Sequence, residues 1–595
     1  MPALVRNIMG AGVAAGLANV LLGDVQDSMT AAGTSQSDAQ NIGAAIARFT
    51  TVASGAGAIL PAGSVGDELL IINAGANALS LYPPIGHAIN AGATNAAFSI
   101  PTASSTGFKR VSNLLWIALD ASQLSFLQSG TGAVSRTVQA RLRDLVSILD
   151  FIPVAEHAAI AAQTSTTTLT TYIQAALDEV NTNKRGGLYV PAGLYNTGTI
   201  NWPGNNIALI GAGSGYGYDT SSAPQTIFKA VAGTTIMFDL VQTGTAVDRQ
   251  GSLISDIKLD GNSVASSVGI HTALANIVER CTFTRFQLAG IQIGNFGNSN
   301  RIIGCNFILS GGYSLYIIGA STTTNTIRDC IFEQSASSAL RIEGGFGMKF
   351  ENCVFESNSG GALSIFRPDT NDNHLGDIQF ENCWFEDNGT AAIAIDSNTR
   401  SEERAPIRIR FKDTHISVSD NAHTYFAISC GKLVSFEGCH FNNSTATGAL
   451  ATAADAYECG LIQSSQGSTL AANDGLTTAQ LDSFVANGTR CYVEDTTGNS
   501  APNTQTGATY TVGALDQTII ANRAGTVTLT LPTASISKSR KLRVVTIQAQ
   551  QVDSASANVV PRAGGAAGTA ILGASDGAWA DLECDGSNWI ITASS

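Results

Sequence analysis

Three glutamates, Glu333, Glu356 and Glu386, recur at intervals of 23 and 30 residues, and each directly follows a phenylalanine. Paired carboxylates are the equipment of glycoside hydrolysis. One protonates the leaving oxygen while the other attacks the sugar or activates a water, at separations of about 5–5.5 Å for retention and about 6.5–9.5 Å for inversion. Crowded carboxylates raise one another's pKa, which lets one act as the acid while its neighbour stays ionised. Trp384 lies two residues before Glu386, so in a strand it shares that side and offers a ring on which a sugar can stack. The same glutamates also fit a solvated surface, and Ile331 and Val354 beside two of them fit a face buried between subunits. Glu343, Asp369, Asp372, Asp377, Asp387 and Glu402 are rival acids.

The element that must position these residues is a short repeated phrase. It reads Cys281-Thr-Phe283, Cys305-Asn-Phe307, Cys330-Ile-Phe332, Cys353-Val-Phe355, Cys383-Trp-Phe385, Thr414-His-Ile416 and Cys439-His-Phe441, with steps of 24, 25, 23, 30, 31 and 25 residues. Self-similarity at this period marks a solenoid, whose units bury their apolar face only by stacking on neighbours. Cys and Phe two apart point to one side of a strand, and the residue between them and the following Glu point to the other. A second apolar run closes most units (339–342, 362–365, 392–395), and Asn, Ser and Gly mark the corners. Short strands with such corners specify a parallel β-helix. The framework of leucine-rich repeats and the 3.6-residue period of helical repeats are both absent.

The rungs that begin at Cys353 and Cys383 are about six residues longer than their neighbours. Extra length in a repeat maps to loops on one face, often the binding face. These loops contain Arg367, Asp369 and Asp372, then Arg400 and Arg404, so they are expected to contact substrate. The basic run Arg400, Arg404, Arg408, Arg410 and Lys412 would hold sugar carboxylates by bidentate hydrogen bonds, or else pair with Glu402 and Glu403 along a solvated edge. His415 and His440 fall in the column of Trp384, where proton transfer is a minor alternative. The glycines from Gly211 to Gly217 resemble a dinucleotide loop, but the Ser/Thr-rich stretch after them has no helical pattern to receive a pyrophosphate, so they read as a rung corner.

The chain has 595 residues, 13% charged, with a net charge of −14. That balance excludes nucleic acid as a partner, since phosphate contacts need clustered Lys and Arg. The ten cysteines belong to the repeat: stacked rungs align Cys281, Cys305, Cys330, Cys353 and Cys383 in a buried column of small hydrophobes, so all ten thiols are expected reduced. No Cys-x-x-Cys pair occurs and the seven His are scattered, so neither metal nor cofactor is expected.

Outside the solenoid, residues 4–22 are apolar but broken by Arg6, Asn7, Asn19 and three glycines. The run is too interrupted to insert in a membrane, and residues 21–24 lack a small-x-small cleavage site. Residues 1–48 are therefore assigned as a docking segment with a short N-terminal helix. Residues 49–130 read as a small β-domain with strands at 68–72, 78–82, 96–100 and 114–119, and residues 506–595 repeat its outline. Ile59-Leu-Pro61 matches Leu529-Thr-Leu-Pro532, residues 69–72 match 542–545, and both copies end in an Asn–Trp–Ile strand at Trp116 and Trp589. Between them lie a helical neck and β-helix entry at 131–186, with helical spacing over 134–149 and 171–180, the β-helix at 187–455, and final rungs or linker at 456–505.

Residues 145–151, then a helix, then Leu188-Tyr-Val-Pro-Ala-Gly-Leu-Tyr195 and Leu209-Ile-Gly-Ala-Gly213 resemble the start of the pectate-lyase-like, right-handed parallel β-helix of bacteriophage tailspikes. The resemblance covers about residues 145–450. It departs from the family at 152–160, where an Asp-rich segment is replaced by Ile152-Pro-Val-Ala-Glu-His-Ala-Ala-Ile160. It implies an all-β homotrimer on the virion tail, made in the host cytoplasm and docked through its N-terminus on a tail or baseplate protein. Such a protein recognises a bacterial surface polysaccharide, capsule or lipopolysaccharide, and depolymerises it as a hydrolase or lyase, or else only binds it. A free cellular polysaccharide hydrolase or lyase is the third reading, disfavoured by the flanking domains. Fold alone does not choose among them.

Overall fold

The computed structural model describes residues 25–119, 125–215, 224–241, 249–319, 321–368, 375–389, 391–418, 424–443, 449–452, 456–457, 459–463, 492–495, 502–513, 516–538 and 540–595. It divides into two compact units, Met1–Asp144 and Leu145–Ser595.

The second unit is dominated by three parallel sheets. Sheet I has 14 strands, starting with Val146–Ser147 and reaching Tyr492–Asp495. Sheet II has 10 strands from Gly193–Thr197 to His440–Asn443, and sheet III has 10 from Ile200–Asn201 to Ala449–Thr452. Each circuit contributes one strand to each sheet, so every strand pairs with its counterpart a rung away. This is a parallel β-helix.

The repeated phrase is the strand of sheet II. The residue before its Cys or Thr takes a left-handed backbone conformation in rung after rung: Arg280, Gly304, Asp329, Asn352, Asn382, Asp413 and Gly438. Gly, Asn and Asp tolerate that conformation best. The turn aims Cys inward, and all five cysteines of the column are buried beside backbone carbonyls, as Cys353 Sγ is to Glu351 O at 3.4 Å. Two residues on, Phe283, Phe307, Phe332, Phe355 and Phe385 stack face to face at 4.7–4.8 Å. A second ladder of Phe350, Phe380, Phe411 and Phe436 lines sheet I at 4.6–4.9 Å. Asn276, Asn300 and Asn325 bridge successive rungs through their buried amides. The cysteines among the described residues are all free.

The helix Thr170–Thr182 closes the first rung, burying Ile173, Ala176, Leu177 and Val180, the i, i+3, i+4, i+7 face that its sequence presents. The helical spacing over 134–149 is realised only from Val138 to Leu142. Val146 leaves to pair with Leu188 in sheet I, and Ser147 and Asp150 form a capping box that turns the next residues into a short 3-10 helix. Strand pairing and a local cap outcompete the periodicity. The first strand of sheet I thus falls in the entry segment, near residue 146.

The small β-domain of the first unit starts at Val25, so residues 25–48, expected in the docking segment, are strands of its sheets. Residues 1–24, including the expected N-terminal helix, lie outside the described residues. Its six-stranded sheet runs in the order Val25–Thr30, Ile46–Thr51, Glu68–Asn73, Ser104–Ser112, Leu115–Leu119, Ala88–Ile89. A four-stranded sheet, Gln40–Asn41, Gly57–Ile59, Leu79–Tyr82, Phe98–Ile100, packs beneath it. The C-terminal domain has the same two sheets in the same strand order: Asn503–Gln505, Thr518–Ala521, Lys541–Thr546, Trp579–Cys584, Trp589–Ser594, Val559–Val560, and Thr509–Thr511, Val527–Thr530, Gln550–Ser554, Ala570–Ser575. Trp116 and Trp589 are the buried anchors of the two cores.

Candidate functional site

Glu333, Glu356 and Glu386 end three-residue strands of sheet II, and the residue after each, Gln334, Ser357 and Asp387, again takes the left-handed conformation. Two such corners, one before the Cys and one after the Glu, leave each strand no freedom to slip. The three glutamates are direct register partners, Glu333 with Glu356 and Glu356 with Glu386. The stacked phenylalanines that precede them put the rung spacing at 4.7 Å. Neighbouring carboxylates therefore stand near the retaining separation, and the outer two at about twice that, toward the inverting range.

All three side chains are half-buried. Burial first, then the charges of Glu333, Glu386 and Asp387, hold the Glu356 carboxyl above the ordinary carboxylate pKa. Glu386 Oε2 accepts a 2.8 Å hydrogen bond from the indole Nε1–H of Trp384. The sheet thus brings together the three glutamates and Trp384.

The other outward column of sheet II carries Ile331, Val354, Trp384, His415 and His440 in register. Trp384 is 42% exposed, yet one face of its ring is occupied: His415 stacks on it at 3.8 Å and His440 stacks on His415 at 4.9 Å. Val354 is the register partner of Trp384 on the other side. Burial, and then His440, push the His415 pKa down, with Glu386 opposing. Ile331 and Val354 are half-buried.

The chain's place among known proteins follows its rungs. Residues 235–375 and 268–474 match the family model of the right handed beta helix region. Solved structures similar to the chain include a tailspike protein mutant of E. coli bacteriophage HK620 in complex with a hexasaccharide (13% identity, 73% of this chain and 80% of that chain, TM-score 0.46). They also include ORF18 of Geobacillus virus E2 (14%, 60% and 69%, 0.37) and the A-module of the Azotobacter vinelandii mannuronan C-5 epimerase AlgE4 (14%, 65% and 94%, 0.38). No curated relative matches the chain.

The basic run does not converge on the glutamates. Arg408 and Arg410 point out from sheet I, where Arg408 pairs with Asp377 and Arg410 with Glu437, the latter at 2.8 Å from Nε. They do not pair with Glu402 and Glu403. Glu402 takes Lys432 at 2.7 Å instead. Lys412 and Lys349 flank Glu381 at 2.9 and 3.0 Å, and these hydrogen bonds hold its pKa below the ordinary value. A depression of about 390 Å³ lies on this face, lined in part by Asp377, Gln379, Arg408, Arg410 and Ser435.

Of the loop residues, Arg367 is buried and donates to Glu403 O at 3.1 Å, a strut rather than a substrate contact. Arg400 grips Asp396 at 2.8 and 3.0 Å, and Arg404 is half-buried in the turn that follows. Asp369 and Asp372 lie outside the described residues. The dinucleotide-like glycines serve the solenoid, since Gly215 O accepts a 2.8 Å hydrogen bond from Thr282 in sheet II.

Sheet III carries a cluster that the sequence reading did not assemble. Tyr316 Oη donates to Glu343 Oε2 at 2.8 Å, and Arg341 reaches the other oxygen at 2.8–2.9 Å while giving a third bond to Ser364 and lying 4.4 Å over the Phe366 ring. Both oxygens of Glu343 are thus engaged by protein donors. The signal was available: Arg341 stands two residues before Glu343, which directly follows its strand, and in register with Tyr316.

Proposed function

We propose that this protein is a tailspike that binds a bacterial surface polysaccharide, capsule or lipopolysaccharide, and cleaves it at the outward face of sheet II. The observation that carries this reading is the register of three carboxylates on successive rungs, the central one raised above the ordinary carboxylate pKa by burial and by its neighbours. Glu356 donates its proton to the glycosidic oxygen as that bond to the anomeric carbon breaks. If Glu386 or Glu333, one rung away, is the nucleophile, water then displaces it from the anomeric carbon, supplies the hydroxyl of the new reducing end and returns a proton to Glu356; if it is the base, it takes the proton of the attacking water itself. The exposed edge of Trp384 holds a sugar ring beside Glu386. No cofactor is required. The protein works as a homotrimer on the phage tail and docks there through residues toward its N-terminus, ahead of the solenoid.

Incubating the protein with surface polysaccharide of its host and following chain length tests this reading: shortened chains that disappear with Glu356→Gln support it. A second reading, a tail protein that only recognises the glycan, is favoured by the engaged state of two key groups, since the Glu386 carboxylate and one face of Trp384 are both held by protein neighbours. Binding without cleavage by the wild type would establish it.

A further inference from the structure

The outer face of the six-stranded sheet in the first unit carries an apolar row that crosses five strands in register. Val25 pairs with Ile46, Ile46 with Leu70, Leu70 with Gly107 and Gly107 with Leu119. Val25 and Leu119 are each 55% exposed and Leu70 37%. At the usual strand spacing the row is about 19 Å long, and Ile72 and Ile117 border it. On one flank Arg48 pairs with Asp27 at 3.0 Å, and on the other Lys109 pairs with Glu68 at 2.6 Å. An apolar centre with a polar rim is the anatomy of a protein interface.

The fold does not demand this row. In the C-terminal domain, built on the same strand order, the equivalent register positions are Thr518, Arg543, Asp581 and Ala593. There Arg543 binds Asp581 at 2.7 Å and covers Trp579 at 4.9 Å, so water is an adequate neighbour. Where the C-terminal copy has an ion pair, the first has Leu70 and Gly107.

We infer that copies of this chain meet through the Val25–Ile46–Leu70–Gly107–Leu119 face, each row packed against those of its partners. The occupant follows from charge. The chain carries a net charge of −14, so two copies repel over most of their surfaces. On this face the two acids, Asp27 and Glu68, cancel the two bases, Arg48 and Lys109. A neutral, internally paired rim around an apolar centre is compatible with its own image.

The test uses the full chain with Leu70→Cys. The described cysteines are buried or half-buried and none lies in this domain, so with Cys491, which lies outside the described residues, replaced by Ser, the new thiol is the accessible one. A bis-maleimide spanning about 10 Å, the distance between packed sheet faces, should join chains through position 70 at micromolar protein. Thr518→Cys, the counterpart of Ile46 in the polar row of the C-terminal domain, should give at least tenfold less product. Leu70→Arg with Gly107→Asp copies the ion pair of the C-terminal domain. A Cβ at Gly107 meets only Leu119 and Leu69 O at 3.5 Å or more, so the pair fits the sheet. In the Leu119→Cys background this double change should abolish the cross-link while near-ultraviolet dichroism stays unchanged. A monomeric wild type overturns the inference. So does an oligomer whose introduced thiols, at position 70 or position 119, react singly and never join chains, the result if residues 1–24, the second unit or a foreign protein covers the face.

Discussion

Two faces of one solenoid carry the same residue at the same period and treat it in opposite ways. Sheet II aligns Glu333, Glu356 and Glu386; sheet I aligns Glu351, Glu381 and, two rungs on, Glu437. On sheet I each carboxylate has a Lys or Arg beside it, and Glu381 is pulled to a lower pKa by Lys412 and Lys349. On sheet II carboxylates neighbour carboxylates, and Glu356 is pushed up. A β-helix places like residues above one another at no extra cost, so the chemistry of a column is set by what interrupts it and by the second outward position of its strand. On sheet I Lys412 interrupts the column, and Lys349 and Arg410 stand at the second position. On sheet II that position holds Ile, Val, Trp or His. Paired charges make a surface; crowded carboxylates make a proton reservoir.

The largest effect expected is at that reservoir. Glu356→Gln keeps the shape and hydrogen bonding of the side chain but removes its transferable proton, so depolymerisation should fall about 10²–10⁴-fold with glycan binding and oligomer mass retained. Glu381→Gln, the matched change on sheet I, should leave the cleavage rate unaltered. Equal losses in the two variants would erase the distinction between the faces.

A comparable loss is expected for one of Glu333→Gln and Glu386→Gln, and the anomeric form of the first product shows whether the pair retains or inverts. If Glu386 is the partner, Trp384→Phe should also slow cleavage, because it removes the Nε1–H that holds Glu386 Oε2. An unchanged rate for both glutamate variants would move the site off the column, with Asp369 and Asp372 the next residues to replace.

Smaller, and opposite in sign, are the effects on stability. Glu381, with its folded pKa depressed, contributes stability above the unfolded carboxylate pKa of about 4.3, and loses it as pH falls through the folded value. Glu381→Gln should cost about 0.2–1 kcal/mol at pH 7 and nothing in strong acid. Glu356, with its folded pKa raised, favours folding only while protonated. That advantage is complete below the unfolded pKa and lost as pH rises through the folded one. Glu356→Gln should therefore raise the unfolding temperature at pH 7 and not at pH 4. Thermal melts of the two variants across that range measure both signs, and a shift of one sign for both would contradict the comparison.

The smallest effect expected is inside the solenoid. Each thiol of the Cys column lies near two carbonyls, Cys353 Sγ at 3.4 Å from Glu351 O and 3.7 Å from Ile327 O. A serine hydroxyl there has acceptors, so Cys353→Ser should cost less than the roughly 1–3 kcal/mol of an unsatisfied buried hydroxyl, and reductant should change neither melting curve.

How much of this was legible before the coordinates follows from where the information lies. The phrase Cys-x-Phe at a 23–31-residue period, three times followed by Glu, determined the β-helix, the inward Cys and Phe, the outward Glu column and its register, because parallel stacking turns equal spacing along the chain into adjacency across rungs. The duplicated outline around Trp116 and Trp589 was legible for the same reason: one core was written twice. What the tertiary structure alone decided is which outward neighbours touch. Arg408 meets Asp377 and Lys412 meets Glu381 across a lengthened rung of 31 residues, so local proximity to Glu402 and Glu403 misled. Ser104–Ser112, rich in small and basic residues, declares no strand until Phe108 and Thr106 turn into the core between two partners. The ring face of Trp384 is lost to His415 from the next rung. The apolar row from Val25 to Leu119 is assembled from five strands spread over nearly a hundred residues. Each of these is a contact between side chains distant in sequence, and a one-dimensional pattern carries the period that brings rungs together but not the loop lengths and strand crossings that choose the partners.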